Sequence, residues 1–142
     1  LAGLYMRDRG AHGYWYKQGA VRAAGDGSLL NFLHYDDAAA FAARAREARV
    51  ADEVLLAADG SPRTRAGCVD AVARHPLFRD RARPTFVAGD APPRRGPAGG
   101  GRVYDCARSA ARVGGWAPAW PSLDAFFAAD AEKPSEVADR LP

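Results

Sequence analysis

Hydrophobic and polar positions alternate along the chain in a way that divides it into short elements. The clearest unit is residues 29–49, LLNFLHYDDAAAFAARAREAR. Leu29, Leu30, Phe32 and Leu33 make an apolar run that predicts a buried strand. His34, Asp36 and Asp37 form a polar corner. Ala38, Phe41, Ala42 and Ala45 then recur at i, i+3, i+4 and i+7, the apolar stripe of a helix packed on a core. Asp36 or Asp37 suits the N-cap, and Arg44, Arg46 and Arg49 sit late, where positive charge complements the helix dipole.

The same reading extends to both sides. Residues 1–5 predict a short strand interrupted by Gly3, and residues 6–17 a polar, aromatic loop broken by Gly10 and Gly13. Residues 19–27 are small and turn-rich. Residues 53–58, EVLLAA, predict a strand closed by the turn 59–62. Thr64 caps a helix over 65–74 with Cys68, Val69, Val72 and Ala73 inward, and Pro76 ends it. Gly67 stands where a capping box would place Glu or Gln. Residues 84–87 predict a short strand, 89–101 a flexible Pro- and Gly-rich loop, and 102–104 an extended segment. Asp105 caps a helix over 106–113 that stops at Gly114-Gly115. Ser122 caps the last helix, 123–131, which carries Phe126 and Phe127, and 132–142 reads as a frayed tail. Strands alternating with helices place the chain in the α/β class.

Composition narrows the function classes. A chain of 142 residues suits one domain with a real core. The net charge of +3 is too small an excess to argue for nucleic acid. The basic clusters at 79–83 and 94–95 read as solvated loop charge. Cys68 and Cys106 suggest neither a disulfide framework nor a metal site, so a reducing compartment is expected. No apolar run approaches a membrane span and no leader is visible. The chain begins at Leu1 and its single Met is Met6, which reads as a processed or truncated chain. The localisation expected is intracellular and soluble, cytoplasmic or alternatively in the plastid stroma.

The search for chemistry is mostly negative. No strand leads through closely spaced glycines into a helix, so a dinucleotide fingerprint is absent, and so is a lysine-bearing phosphate loop. A Tyr–Lys proton-transfer pair needs spacing i, i+4 on a helix, whereas Tyr14 and Lys17 are three apart in a glycine-broken loop. His75 at a helix end and His34 at the strand–helix corner read as structural. His12 lies in the aromatic loop, and no histidine has a nucleophile beside it that makes a triad. Zinc spacing is absent.

Asn31-Phe32-Leu33-His34-Tyr35-Asp36-Asp37-Ala38 nevertheless resembles the I-H-V-D-D-L-A segment of the extended short-chain dehydrogenases/reductases, the NAD-dependent epimerase/dehydratase family. Leu1-Ala2-Gly3-Leu4-Tyr5 is similar to the R-x-x-G-I-Y-G-P strand that follows that family's Tyr-x-x-x-Lys helix. Val103-Tyr104-Asp105, then Gly115-Trp116-Ala117-Pro118, is similar to its closing D-x-S-K-A…L-G-W-x-P. The string LYMRDRGAHGYW resembles most a plant and algal branch of Rossmann-fold NAD(P)-binding proteins. The chain departs from the pattern at Gly114, at Met6-Arg7 and at Gly67.

The resemblance implies the C-terminal, substrate-side portion of an extended short-chain dehydrogenase/reductase fold, with the N-terminal nucleotide-binding half absent. In the intact parent, NAD or NADP would move hydride and an upstream Tyr would move the proton. This chain alone would bind no cofactor and would carry no catalytic residue. Gly3, Leu4 and Tyr5 are the implied cofactor contacts. The pocket loop 6–28 would face a small-molecule substrate, anionic or sugar-like. Arg7, Arg9 and Lys17 would bind the anion, His12, Tyr14 and Trp15 would stack or hydrogen-bond, and Arg102 would reach in from the closing segment. Residues 1–5 would belong to a parallel sheet whose neighbours are missing. Two alternatives remain open: a non-catalytic NAD(P)-binding regulator on the same fold, or an unrelated small α/β binding module.

Overall fold

The computed structural model describes residues 3–23, 28–88 and 101–132. In chain order its elements are β1 (Gly3–Tyr5), α1 (Ala11–Gln18), β2 (Ala20–Ala23), β3 (Leu29–Leu30), β4 (Phe32–His34), α2 (Tyr35–Glu47), β5 (Arg63–Thr64), α3 (Arg65–Val72), β6 (Thr85–Ala88), α4 (Ala107–Arg112) and α5 (Leu123–Ala131). The α/β class expected from the alternation is therefore observed. No helix among the described residues is long and apolar enough to cross a membrane.

The centre is the parallel pair β1–β4, in register Gly3↔Phe32, Leu4↔Leu33 and Tyr5↔His34. Alternation along a strand sends Tyr5 and Phe32 to one face and Leu4 and Leu33 to the other. Tyr5 and Phe32 join a core built from Val69 and Val72 of α3, Leu123, Phe126 and Phe127 of α5, and Trp15 and Tyr16 of α1. Leu33 and Leu4 join a second core with Phe41 of α2, Ala57, Ala58, Val113 and Trp116. The buried pair thus has helices over both faces, as parallel strands require. Residues 1–5 were expected to lack a sheet neighbour; β4 supplies one to β1 from within the chain, where the buried triplet Phe32–His34 satisfies its backbone groups by pairing.

Several local expectations hold because their causes are local. Thr64 Oγ1 accepts the Gly67 amide (3.0 Å) at the start of α3, and Ser122 Oγ accepts the Ala125 amide (3.0 Å) at the start of α5. Gly114 and Gly115 turn out of α4 with φ of 81° and 75°, as expected, whereas the N-cap of that helix is Cys106 and the Asp105 carboxylate, one residue earlier, accepts the Ala107 amide (3.0 Å). The short strand expected at 84–87 is β6, paired in parallel with β2.

Other expectations are corrected. The loop expected over 6–17 contains α1. Gly10 caps it with φ 126° and Gly19 ends it with φ 66°, so two of the glycines punctuate the helix rather than abolish it. Gly13 lies inside it because a Cβ there would stand 2.6 Å from the Asp8 carbonyl oxygen. The turn-rich stretch 19–27 yields β2; residues 24–27 lie outside the described residues. The apolar run 29–33 is not one strand. It breaks at Asn31, where β3 pairs antiparallel with β5 and β4 pairs with β1.

Residues 53–58 are not a strand, and the Leu56 N–H donates to a side chain, Ser109 Oγ at 2.8 Å, rather than to a ladder. The cap of α2 is His34, whose Nδ1 accepts the Asp36 amide (3.2 Å), not Asp36 or Asp37. Ala42 of the expected apolar stripe is exposed, and the buried Asp37 takes part in that face instead. The loop assigned to 89–101 falls outside the described residues except at Gly101, and the tail at 132–142 except at Glu132.

Candidate functional site

The polypeptide leaves the carboxyl end of β1, makes a short loop closed by Met6 N–H donating to the Arg9 carbonyl (2.9 Å), and enters α1. Helical spacing then sorts the side chains. Gly13, Tyr14 and Lys17, at i, i+1 and i+4, share one face, while His12, Trp15 and Tyr16 are buried on the other. The outer face, with Asp8, Arg9 and Gly10 of the loop, forms one wall of a cleft of about 380 Å³. Phe78 and Arg81, from the turn region after α3, also line it. The Arg81 guanidinium lies 6.0 Å from the centre of the Phe78 ring.

The cleft is electropositive. Arg9, Lys17 and Arg81 face one carboxylate, Asp8. Tyr14, 63% exposed, leaves a large ring at the rim. Cations of this kind bind phosphate or carboxylate groups through charge-assisted hydrogen bonds, and an exposed ring covers a sugar or planar group. Arg9, Tyr14 and Lys17, three of the substrate residues expected from sequence, are therefore brought together here.

Arg7 and His12 are not in that wall. Arg7 directs Nε and Nη2 onto the Asp130 carboxylate at 2.5 and 2.7 Å. His12 is fully buried, with Nε2 3.3 Å from the Arg7 carbonyl oxygen and its ring edge-on to Phe127 and Phe78, at 5.0 and 5.5 Å. Burial lowers its pKa from 6.5 to about 4, so it is neutral near pH 7. Both residues, expected from sequence to contact substrate, make contacts that hold the loop. Arg102 lies apart: its carbonyl accepts from Asn31 Nδ2 (2.6 Å), and the same side chain takes the Tyr104 amide at 3.0 Å.

The three residues expected to contact a cofactor, Gly3, Leu4 and Tyr5, form β1. Leu4 packs into the second core. Tyr5 is fully buried, 5.3 Å from the His34 ring and 5.7 Å from Phe126. Its hydroxyl is pushed well above its ordinary range, first by burial and then by the nearby Asp59. Only Gly3 stays exposed, and it has no side chain to offer.

The polar corner at the end of β4 makes backbone contacts. Both Asp37 oxygens accept backbone amides, Oδ1 from Ala119 at 2.7 Å and Oδ2 from Trp120 at 3.0 Å. The carboxylate thereby ties the first turn of α2 to the segment before α5. The two cysteines are free; burial pushes the Cys68 thiol up to about 12, which makes it inert. A further cleft of about 370 Å³, at the end of α2, is lined by Ala43, Arg46, Glu47 and Arg49.

Sequence reasoning missed Asp130, Phe78 and Arg81. Arg81, in the cluster 79–83 whose composition suggests solvated loop charge, lines the cleft. Asp130 carried a usable signal: it stands four residues after Phe126 and three after Phe127, on the buried face of α5. Comparison of the chain with protein-family models, with curated proteins and with solved structures finds no match in any of them.

Proposed function

We propose that the cleft beyond the carboxyl end of β1 binds an anionic small molecule, and that the chain is the substrate side of an NAD(P)-dependent epimerase, dehydratase or reductase. The carrying observation is the convergence of Arg9, Lys17 and Arg81 on one concavity. Its position supports the reading, since ligands of parallel α/β sheets bind outside the carboxyl ends of the strands. The assignment to an oxidoreductase or epimerase rests on the resemblance of the segments around Asn31–Ala38 and Gly115–Pro118.

Within this reading the cations bind the phosphate or carboxylate. Asp8 accepts a hydrogen bond from a ligand hydroxyl and so orients it. Tyr14 covers the remainder. A bound nicotinamide would supply hydride chemistry; Leu4 is half-buried against the second core and the Tyr5 side chain is fully buried. No hydride or proton-transfer step is therefore assigned to these residues.

Calorimetric titration of the chain with inorganic pyrophosphate at low salt tests the proposal. Arg9→Ala, Lys17→Ala and Arg81→Ala should each weaken binding roughly tenfold, about 1.4 kcal/mol. NADH and NADPH should give no binding heat. Pyrophosphate affinity unchanged in the triple variant would reject the cleft, and tight NAD(P)H binding would reject the substrate-side assignment.

A further inference from the structure

The loop between β1 and α1 presents Asp8, Arg9 and Gly10 to the cleft, yet Arg7 turns the opposite way. Its guanidinium forks onto Asp130 in the last turn of α5, with both oxygens engaged at 2.5 and 2.7 Å. The Asp130 side chain is only 4% exposed, against 27% for Arg7. His75, just beyond α3, places Nε2 3.3 Å from the same Oδ2. Its Nδ1 accepts the Leu77 amide at 3.2 Å, which leaves Nε2–H as the donor to Asp130. From the other side, His12 Nε2 lies 3.3 Å from the Arg7 carbonyl. Residue 7 is thus fixed through its side chain by α5 and through its backbone by α1.

A buried ion pair of this kind adds little net stability, because desolvation offsets most of the Coulomb gain. A bidentate fork does fix direction. Here the direction set is that of the chain on either side of Arg7, which closes through Met6 N–H to Arg9 O and carries the cleft's acid and one of its cations. We propose that Asp130, oriented by His75, is a positioning residue for the cleft: it clamps Arg7 and so places Asp8 and Arg9 for the anion. The proposal rests on the anion-binding reading of the cleft, while the clamp itself is measurable without a ligand.

The test uses the full chain with Asp130→Asn, which keeps volume and an acceptor oxygen but loses charge. Arg7→Lys keeps the charge but loses the fork, and serves where Asp130→Asn fails to fold. The Met6 amide should exchange with deuterium at least tenfold faster in either variant, while the Gly3 amide, bonded to the Asn31 carbonyl, and the Asp59 amide, bonded to the Phe32 carbonyl, keep their protection. Pyrophosphate should bind the variant at least fivefold more weakly. His75→Gln, which retains a donor to Asp130, should restore most of what His75→Phe loses in both readouts. Unchanged Met6 exchange, or an equal rise at all these amides, would overturn the clamp. If the unaltered chain does not bind pyrophosphate, the anion reading fails and Asp130 loses its cleft role, even where exchange upholds the loop clamp.

Discussion

His12 and Asp59 are buried titratable residues whose shifts act in opposite senses. Burial lowers His12 from 6.5 to about 4. The unfolded chain therefore takes up this proton before the folded one. The stability it contributes is complete above pH 6.5 and is lost as pH falls through 4, a change of about 3 kcal/mol. Burial raises Asp59 from 3.8 to about 6, so its contribution is complete below pH 3.8 and is lost as pH rises through 6. Between pH 4 and 6 the two slopes oppose. Asp59→Asn keeps the oxygen that accepts the Ser61 amide (2.9 Å) and removes the titration. Its urea midpoint should accordingly fall more steeply than that of the parent chain between pH 6.5 and 4. Parallel midpoint curves would show that Asp59 does not titrate as assigned. Neither role was legible in the sequence, because burial at these positions is created by distant chain; Arg7 and its partner Asp130 are 123 residues apart.

At the scale of elements, legibility followed the range of the cause. The caps at Thr64 and Ser122 accept amides three residues away, so their residue types announce them. The strand expected at 53–58 failed because β propensity needs a partner strand, and the Leu56 N–H donates to a side chain, Ser109 Oγ, instead. The helix α1 was hidden by its three glycines at 10, 13 and 19, each of which has a separate spatial reason. Gly13 gives a test of opposite sign to the usual rule. Gly→Ala inside a helix ordinarily stabilises by about 1 kcal/mol. Here the added methyl would stand 2.6 Å from the Asp8 carbonyl, a fixed backbone atom. Gly13→Ala should therefore destabilise the chain by roughly 1–2 kcal/mol net in urea unfolding. A stabilised variant would show that the loop does not lie against α1 as described.

For the molecule as a whole, the alternation of apolar runs and helical stripes was enough to place the chain in the α/β class. It did not disclose which strands pair. Among the described residues, three two-stranded sheets, two parallel and one antiparallel, arise from contacts between segments far apart in sequence. The candidate cleft was half legible: Arg9, Tyr14 and Lys17 line it, while Arg7 and His12 turn to the other side of the loop. The reason is geometric, since adjacent residues of a loop or helix can face opposite ways. The two clefts give the account its sharpest comparison. Each is lined by arginine, but the one beyond β1 also holds a lysine, an exposed tyrosine and a clamped loop. Amide chemical shifts of the ¹⁵N-labelled chain, followed during titration with pyrophosphate, decide between them. The account predicts shifts centred on Arg9, Gly13, Tyr14, Lys17 and Arg81. Shifts centred instead on Arg46 and Arg49, or none at all, would contradict it.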